Sequence, residues 1–127
     1  MRCIRGDATA QEGPASPRGS VTAEFAVAVP AVILLLGFLL GAVSAAVCQV
    51  RVEEAARAGA RSVAKGEDAG AVAREIARVA GPGAEHSVEA SAGVVTVQVS
   101  TAVPGPVAAA AGLRARAAAS LSLEGPP

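Results

Sequence analysis

From Phe25 to Val50 the chain runs for 26 residues without a charged side chain, FAVAVPAVILLLGFLLGAVSAAVCQV. As a helix rising about 1.5 Å per residue this stretch spans roughly 39 Å, against a hydrocarbon core of about 30 Å. It is long enough to cross a bilayer with tilt, its last turn emerging near Cys48 and Gln49. A buried helix of a soluble protein is the competing reading. Only 77 residues follow the run, however, and they hold few large side chains with which to cover it. The chain has 32 Ala and 18 Val but 2 Phe, no Tyr and no Trp. That excludes a large aromatic-packed core and any binding of bases by ring stacking. Eleven basic and eleven acidic residues cancel, so no electrostatic footprint for nucleic acid exists. Two cysteines, Cys3 and Cys48, do not make a disulfide framework.

Residues 1–19, MRCIRGDATAQEGPASPRG, are polar, rich in small residues and without hydrophobic periodicity, and read as a disordered or removable leader. An ordinary secretory signal has an apolar core of about 7–15 residues followed by a small-residue cleavage site. Here the run is too long, and sites near Ser44-Ala45-Ala46 would cut at its far end. Lipidation at Cys48 is disfavoured by Val47, which occupies a position where such signals want a small residue.

The other end of the run carries a more informative string. Arg18-Gly19-Ser20-Val21-Thr22-Ala23-Glu24-Phe25 places a small polar residue after Gly19, a glutamate five positions on and a phenylalanine beside it. This resembles a type IV prepilin cleavage signal. The longer string Thr22-Ala23-Glu24-Phe25-Ala26-Val27-Ala28-Val29-Pro30, followed at once by an aliphatic run, is similar to the TadE-like family of tight-adherence (Flp) pilus pseudopilins. The resemblance covers residues 18–50. It implies cleavage between Gly19 and Ser20 by a prepilin peptidase and an assembly role for Glu24 and Phe25. The implied partners are tight-adherence pilus subunits and an inner-membrane assembly platform.

Independently of any family, a carboxylate at the mouth of an apolar helix is a functional candidate. It could equally sit in water and complement the positive end of the helix dipole. The resemblance adds a partner: cleavage frees the amine of Ser20, with which Glu24 can pair on itself or on a neighbouring subunit. Inside the span, Pro30 removes a backbone donor and conflicts with the carbonyl of Ala26, so a kink or short unwound turn is expected over residues 26–30. Gly37, Gly41 and Ala45 recur every four residues, a spacing that lets two helices approach closely in lipid and that chance also produces.

Beyond the run the pattern becomes amphipathic. Glu53, Arg57, Arg61 and Lys65 form one face, and Val52, Ala56, Gly59, Ala60 and Val63 the other. Glu53 precedes Arg57 in the favourable order for an ion pair four residues apart. Gly66 should end this helix and Asp68 cap a second one with a stripe of Val72, Ile76 and Val79, stopped by Gly81-Pro82-Gly83. The period then changes to two. Val95, Val97, Val99 and Thr101 alternate with polar residues as a strand, with Ser87 to Ser91 as partner across Ala92-Gly93. Residues 107–112 are an ambiguous Ala-rich stretch. Leu113 to Glu124 alternates as a third strand, with a helix as the alternative.

The fold class expected is therefore α+β: a long N-terminal transmembrane helix continuing into an amphipathic one, a second short helix and a small three-stranded antiparallel sheet. The organisation expected is a leader over 1–19, a transmembrane helix over 20–50 and a small extracytoplasmic head over 51–127. Catalysis finds no support: His86 stands alone, and no metal cluster, phosphate-cradling loop or paired catalytic carboxylates occur, so neither metal nor cofactor is expected. Orientation sets two arguments against each other. Arg5 and Arg18 precede the span while Arg51, Arg57, Arg61 and Lys65 follow it, which by charge alone puts the C-terminal part in the cytoplasm. The prepilin-like leader implies the reverse: a single-pass protein of the cytoplasmic membrane with its N-terminus inside and its head outside, or at the pilus or cell surface. Two functions from different classes follow. One is a non-enzymatic minor pilin or pseudopilin taking part in pilus assembly or adhesion. The other is an uncleaved single-pass protein, anchored in membrane lipid, whose small head binds a partner at the membrane.

Overall fold

The computed structural model describes residues 17–123. The elements are α1 (Pro17–Ala64), α2 (Ala69–Ala80), β1 (Glu85–Ser91), β2 (Val94–Ala102), α3 (Pro106–Ala111) and β3 (Arg114–Ser122). The α+β class expected from the sequence is the one observed. Of the expected leader, all but Pro17–Gly19 lies outside the described residues, and those three open α1. The chain divides after Leu35 into two compact units.

The first unit is, in its described part, the apolar N-terminal stretch of α1, whose side chains are exposed throughout. An apolar helix exposed on every side has no solvent face, which is the signature of a membrane span and not of a surface helix. α1 is long and apolar enough to cross a membrane, and its most apolar stretch buries nothing within the chain. The helix runs unbroken through residues 26–30, with Pro30 inside it. The short unwound turn expected there is thus not formed: in an otherwise regular apolar helix one missing donor leaves the neighbouring hydrogen bonds to hold the turn.

The second unit begins at Leu36 and contains the remainder of α1 with everything after it. From Cys48 onward α1 acquires a buried face: Cys48, Val52, Ala55, Ala56, Gly59 and Ala60 turn inward, while Glu53, Arg57 and Arg61 stay exposed. Gly66, at φ +79°, ends the helix; its N–H bonds to Val63 O at 3.0 Å and that of Glu67 to Ser62 O at 3.2 Å. Asp68 caps α2, its Oδ1 accepting from the Ala71 N–H at 2.8 Å. Val72 and Ile76 are buried and Val79 half-buried, so the expected stripe is the packing face. Gly81, at φ +103°, closes α2 by donating to Ala77 O at 2.9 Å.

The sheet is an antiparallel meander in the order β1-β2-β3. Directly paired residues share a face. Val95, Val97 and Val99 therefore share one with Ala90, Val88 and His86 on β1, and with Leu121, Ala119 and Ala117 on β3. The three β2 valines are almost completely buried, whereas every residue of β1 is exposed. The helices cover β2 and part of β3 and leave β1 bare. The opposite face is polar, with Thr96 Oγ1 and Ser120 Oγ 2.8 Å apart and Arg114 donating to Ser100 Oγ at 3.2 Å. The stretch ambiguous in sequence resolves into α3, with Pro106 in its first turn, and into β3.

The β1–β2 loop has only two residues, and both have positive φ: Ala92 at 51° and Gly93 at 77°. That is the requirement of a type I′ hairpin turn, which Asn-Gly meets and Ala-Gly meets with strain at the first position. Ala92→Asn should raise the unfolding free energy of the detergent-solubilised protein by about 0.5–1 kcal/mol. Chemical denaturation followed by circular dichroism reads the change.

Candidate functional site

The residues singled out at the N-terminus all lie in the first turns of α1. Gly19, Ser20, Glu24 and Phe25 are helical and exposed. Ser20 and Glu24 are four apart, so they sit one turn from each other on one side of the helix, about 6 Å along its axis. Thr22 Oγ1 donates back to Arg18 O at 2.9 Å, which ties the turn containing the Gly19–Ser20 bond.

The small-residue series splits. A methyl group added at Gly37 or Gly41 would meet nothing within 4 Å. Among the described residues, therefore, no element uses the close approach those glycines permit. Ala45, the third of the series, is half-buried against the chain's own core. The glycine with a demanding environment is Gly59. There a Cβ would lie 2.9 Å from Ile76 Cδ1, 3.0 Å from Ile76 Cγ1 and 3.2 Å from Val97 Cγ1. Gly59 is the point where α1 meets both α2 and the sheet. Sequence reasoning placed it on the apolar face but gave it no special weight; its position between Val52, Ala56 and Val63 was the available signal.

Gln49 is the other residue that sequence reasoning missed. It stands at the end of the uncharged run, and its Nε2 donates to the backbone carbonyl of Arg116 on β3 at 2.8 Å and to Glu53 Oε1 at 3.1 Å. The expected Glu53–Arg57 pair is absent: the Glu53 carboxylate turns toward Gln49. Among the described residues the ion pairs are Arg78–Glu75, at 2.6 Å, and Arg114–Glu85, at 3.3 Å. The Arg78 guanidinium holds the Glu75 carboxyl below the usual carboxylate range.

The polar side of the sheet forms an open groove of about 540 Å³ whose lining includes Glu85, Ser87, Gln98, Ser100, Arg114 and Arg116. His86, on β1, is exposed and makes no hydrogen bond to a nucleophile. Among the described residues no group of three or more His, Cys, Asp or Glu could hold a metal ion, and Cys48 is a buried free thiol. The groove presents hydrogen-bond donors and acceptors along one open face of the sheet.

Residues 19–61, about a third of the chain, match the family model described as TadE-like protein. The matched segment starts at Gly19, contains the whole uncharged run and extends to Arg61. It thus takes in the face of α1 that packs on the sheet and Gly59 itself. No curated protein and no solved structure matches the chain.

The contrast between the glycines is testable. Gly59→Ala gains about 1 kcal/mol of helix propensity but forces its methyl into the buried Ile76 and Val97, an overpacking cost of roughly 1–3 kcal/mol. A lower melting temperature in detergent is expected. Gly37→Ala and Gly41→Ala, with open space around them, keep the propensity gain without the clash and should not lower that temperature.

Proposed function

We propose that this chain is a non-enzymatic minor pilin or pseudopilin of a tight-adherence type IV pilus system. A prepilin peptidase cleaves it after Gly19, its N-terminus lies on the cytoplasmic side and its head outside the cytoplasmic membrane. The observation that carries the reading is one continuous helix. It starts at the Gly19–Phe25 string, proceeds directly into an exposed apolar span and matches the TadE-like model along that whole length. A leader of 19 residues, a span over 20–50 and a head over 51–127 are the corresponding parts. The cations after the span do not prevent export of the head, because charge governs short loops more than translocated domains.

In this reading Glu24 is the assembly residue. Removal of the leader puts a positive amine on Ser20, one helical turn before Glu24 on the same side. In a subunit stack the carboxylate meets the equivalent amine of a neighbour, with Phe25 beside it. Gly37 and Gly41, on which no described element packs, lie on the span where another helix can approach. Pro30 supplies a site of bending between the two.

Two measurements test the proposal. Mass spectrometry of the protein from cells with the pilus system should give a chain starting at Ser20, and replacing Gly19 by a bulky residue should add the mass of the 19-residue leader. Identical masses for the two overturn the cleavage. Glu24→Gln should still insert and still be cleaved. If the pair forms, its loss costs on the order of 3–5 kcal/mol, because the partner's amine stays poorly solvated and uncompensated. Recovery of the cleaved mutant in sheared surface fractions or cross-linked complexes should then fall to background. If Glu24 only complements the helix dipole, the change is worth a few tenths of a kcal/mol and recovery equals wild type.

A further inference from the structure

The second unit has two chemically different ends. α1 and β2 run in opposite directions past each other, with Gly59 meeting Val97 and with residues Val43–Arg51 beside Thr101–Pro104. α2 returns along α1, so Ala80–Gly83 arrives at that same end. The far end carries exposed Lys65, Glu67, Asp68, Ser91 and Ser122, with Val94, Leu121 and Leu123 exposed among them. The near end has an uncharged chain from Val79 to Ala84 and again from Thr101 to Leu113, bounded by the exposed Glu85–Arg114 pair. There α3 exposes Val107, Ala109, Ala110 and Ala111 and buries only Ala108. Val107 is 56% and the following Leu113 49% exposed. No residue of α3 is polar, whereas the exposed faces of α1 and α2 carry Glu53, Arg57, Arg61, Arg74 and Arg78. A surface helix in water is expected to have a polar face; α3 has none.

Counting along α1 places this end. A hydrocarbon core of about 30 Å takes about 20 helical residues, which from Phe25 reaches Ser44. The headgroup layer takes about four or five more, to Gln49. The near end of the head meets α1 over this interval: Val43, Ser44, Val47, Cys48 and Arg51 form one wall of a groove of about 390 Å³, and Gly81, Pro82, Thr101 and Pro104 form the other. Exposed Val43 and Val47 continue without a break into the apolar run.

From this we infer that the head rests on the bilayer its own helix crosses, with the Pro104–Leu113 segment seated at the lipid headgroup boundary and Val107 and Leu113 turned into the apolar layer. The inference rests on α1 being a membrane span. Arg51, exposed at the groove's edge, reaches lipid phosphate by laying its stem along the apolar wall. The occupant is a lipid surface and not another protein, because Pro104, two residues before α3, lines the same groove as Val43 and Val47, the residues at which the span leaves the membrane. Two points of attachment limit how far the head can tilt away from the membrane.

The test uses the full chain in vesicles of phosphatidylcholine and phosphatidylglycerol, with Cys3→Ser and Cys48→Ala as background. Single cysteines at Leu39, Ser91, Val107 and Leu113 are labelled with a polarity-sensitive fluorophore and quenched by lipids bearing nitroxides near the headgroup or at mid-chain. Leu39→Cys, in the span, should be quenched by the mid-chain nitroxide. Val107→Cys and Leu113→Cys should be quenched by the shallow nitroxide at least twofold more than Ser91→Cys at the far end. With Ala110→Cys as reporter, the V107D/L113D double change should lower that quenching to the Ser91 level while circular dichroism stays the same. Span quenching with Val107 and Leu113 at the Ser91 level overturns the inference and leaves the membrane span standing. No quenching at Leu39 overturns both. Quenching that disappears on dilution of protein into lipid assigns the surface to a neighbouring chain and also overturns it.

Discussion

One contact holds the head together: the inner face of α1 from Cys48 to Ala60 against Val95, Val97 and Val99. The chain has almost no large side chains to invest, so its core must gain attraction from proximity and not from bulk. Dispersion falls off steeply with gaps, and a core of Ala and Val is cohesive only when its layers are close. Ala55, Ala56, Gly59 and Ala60 make α1 thin on that side, and Ile76, the largest fully buried side chain, fills the space above Gly59. A helix with leucines at those positions would stand off from the sheet and open the interface that α2 closes. The same smallness would weaken a free domain of this size, and the head is instead continuous with a helix that extends far beyond it.

That helix serves two solvents with one backbone. From Phe25 to Val50 no charge interrupts it, and up to Leu40 its side chains are exposed on all sides; from Cys48 apolar residues gather on one face and from Arg51 charges recur on the other. Nothing in the hydrogen bonding marks the change, because a helix satisfies its own backbone in lipid and in water alike. The change is made entirely by side chains. Gln49 sits at the transition and does not depend on water for its hydrogen bonds: it takes up Arg116 O at the outer edge of β3, along with Glu53. A carbonyl that would otherwise offer itself to a foreign strand is thereby occupied by the chain's own helix.

Much of this architecture was legible because the residues carrying it are periodic. Twenty-six uncharged residues, the 3.6-residue pattern after Val52, Gly66, Asp68 and Gly81 as punctuation, and the valines of β2 each point to one element with a local physical reason. The third strand was legible despite its alanines, since Arg114, Arg116, Ser120 and Ser122 alternate with Ala115, Ala117, Ala119 and Leu121. α3 was not, because PVAAAA has no polar residue from which a period could be read. Contacts between distant residues were not legible either. Gly59 and Gly41 look alike in sequence, and only the fold puts Ile76 and Val97 on one of them and open space on the other. Glu53 had Gln49 and Arg57 both within helical reach; the strand edge at Arg116 places Gln49 between Glu53 and the sheet, which decides the partner.

The bare strand β1 shows how a helix laid across a sheet restricts assembly. Its backbone groups at His86, Val88 and Ala90 point away from β2, since the odd-numbered residues are the ones hydrogen-bonded across the register to Val94, Thr96, Gln98 and Ser100. An antiparallel pair of two such strands, centred on Val88, would even set each glutamate opposite a serine. But a pair of that kind has its two-fold axis normal to the sheet. α1 lies across the sheet face, from Thr101 toward Val97, so the rotation reverses it. A pair through β1 would therefore set the head segments of α1 in the two copies antiparallel, so this edge does not suit copies whose helices run side by side.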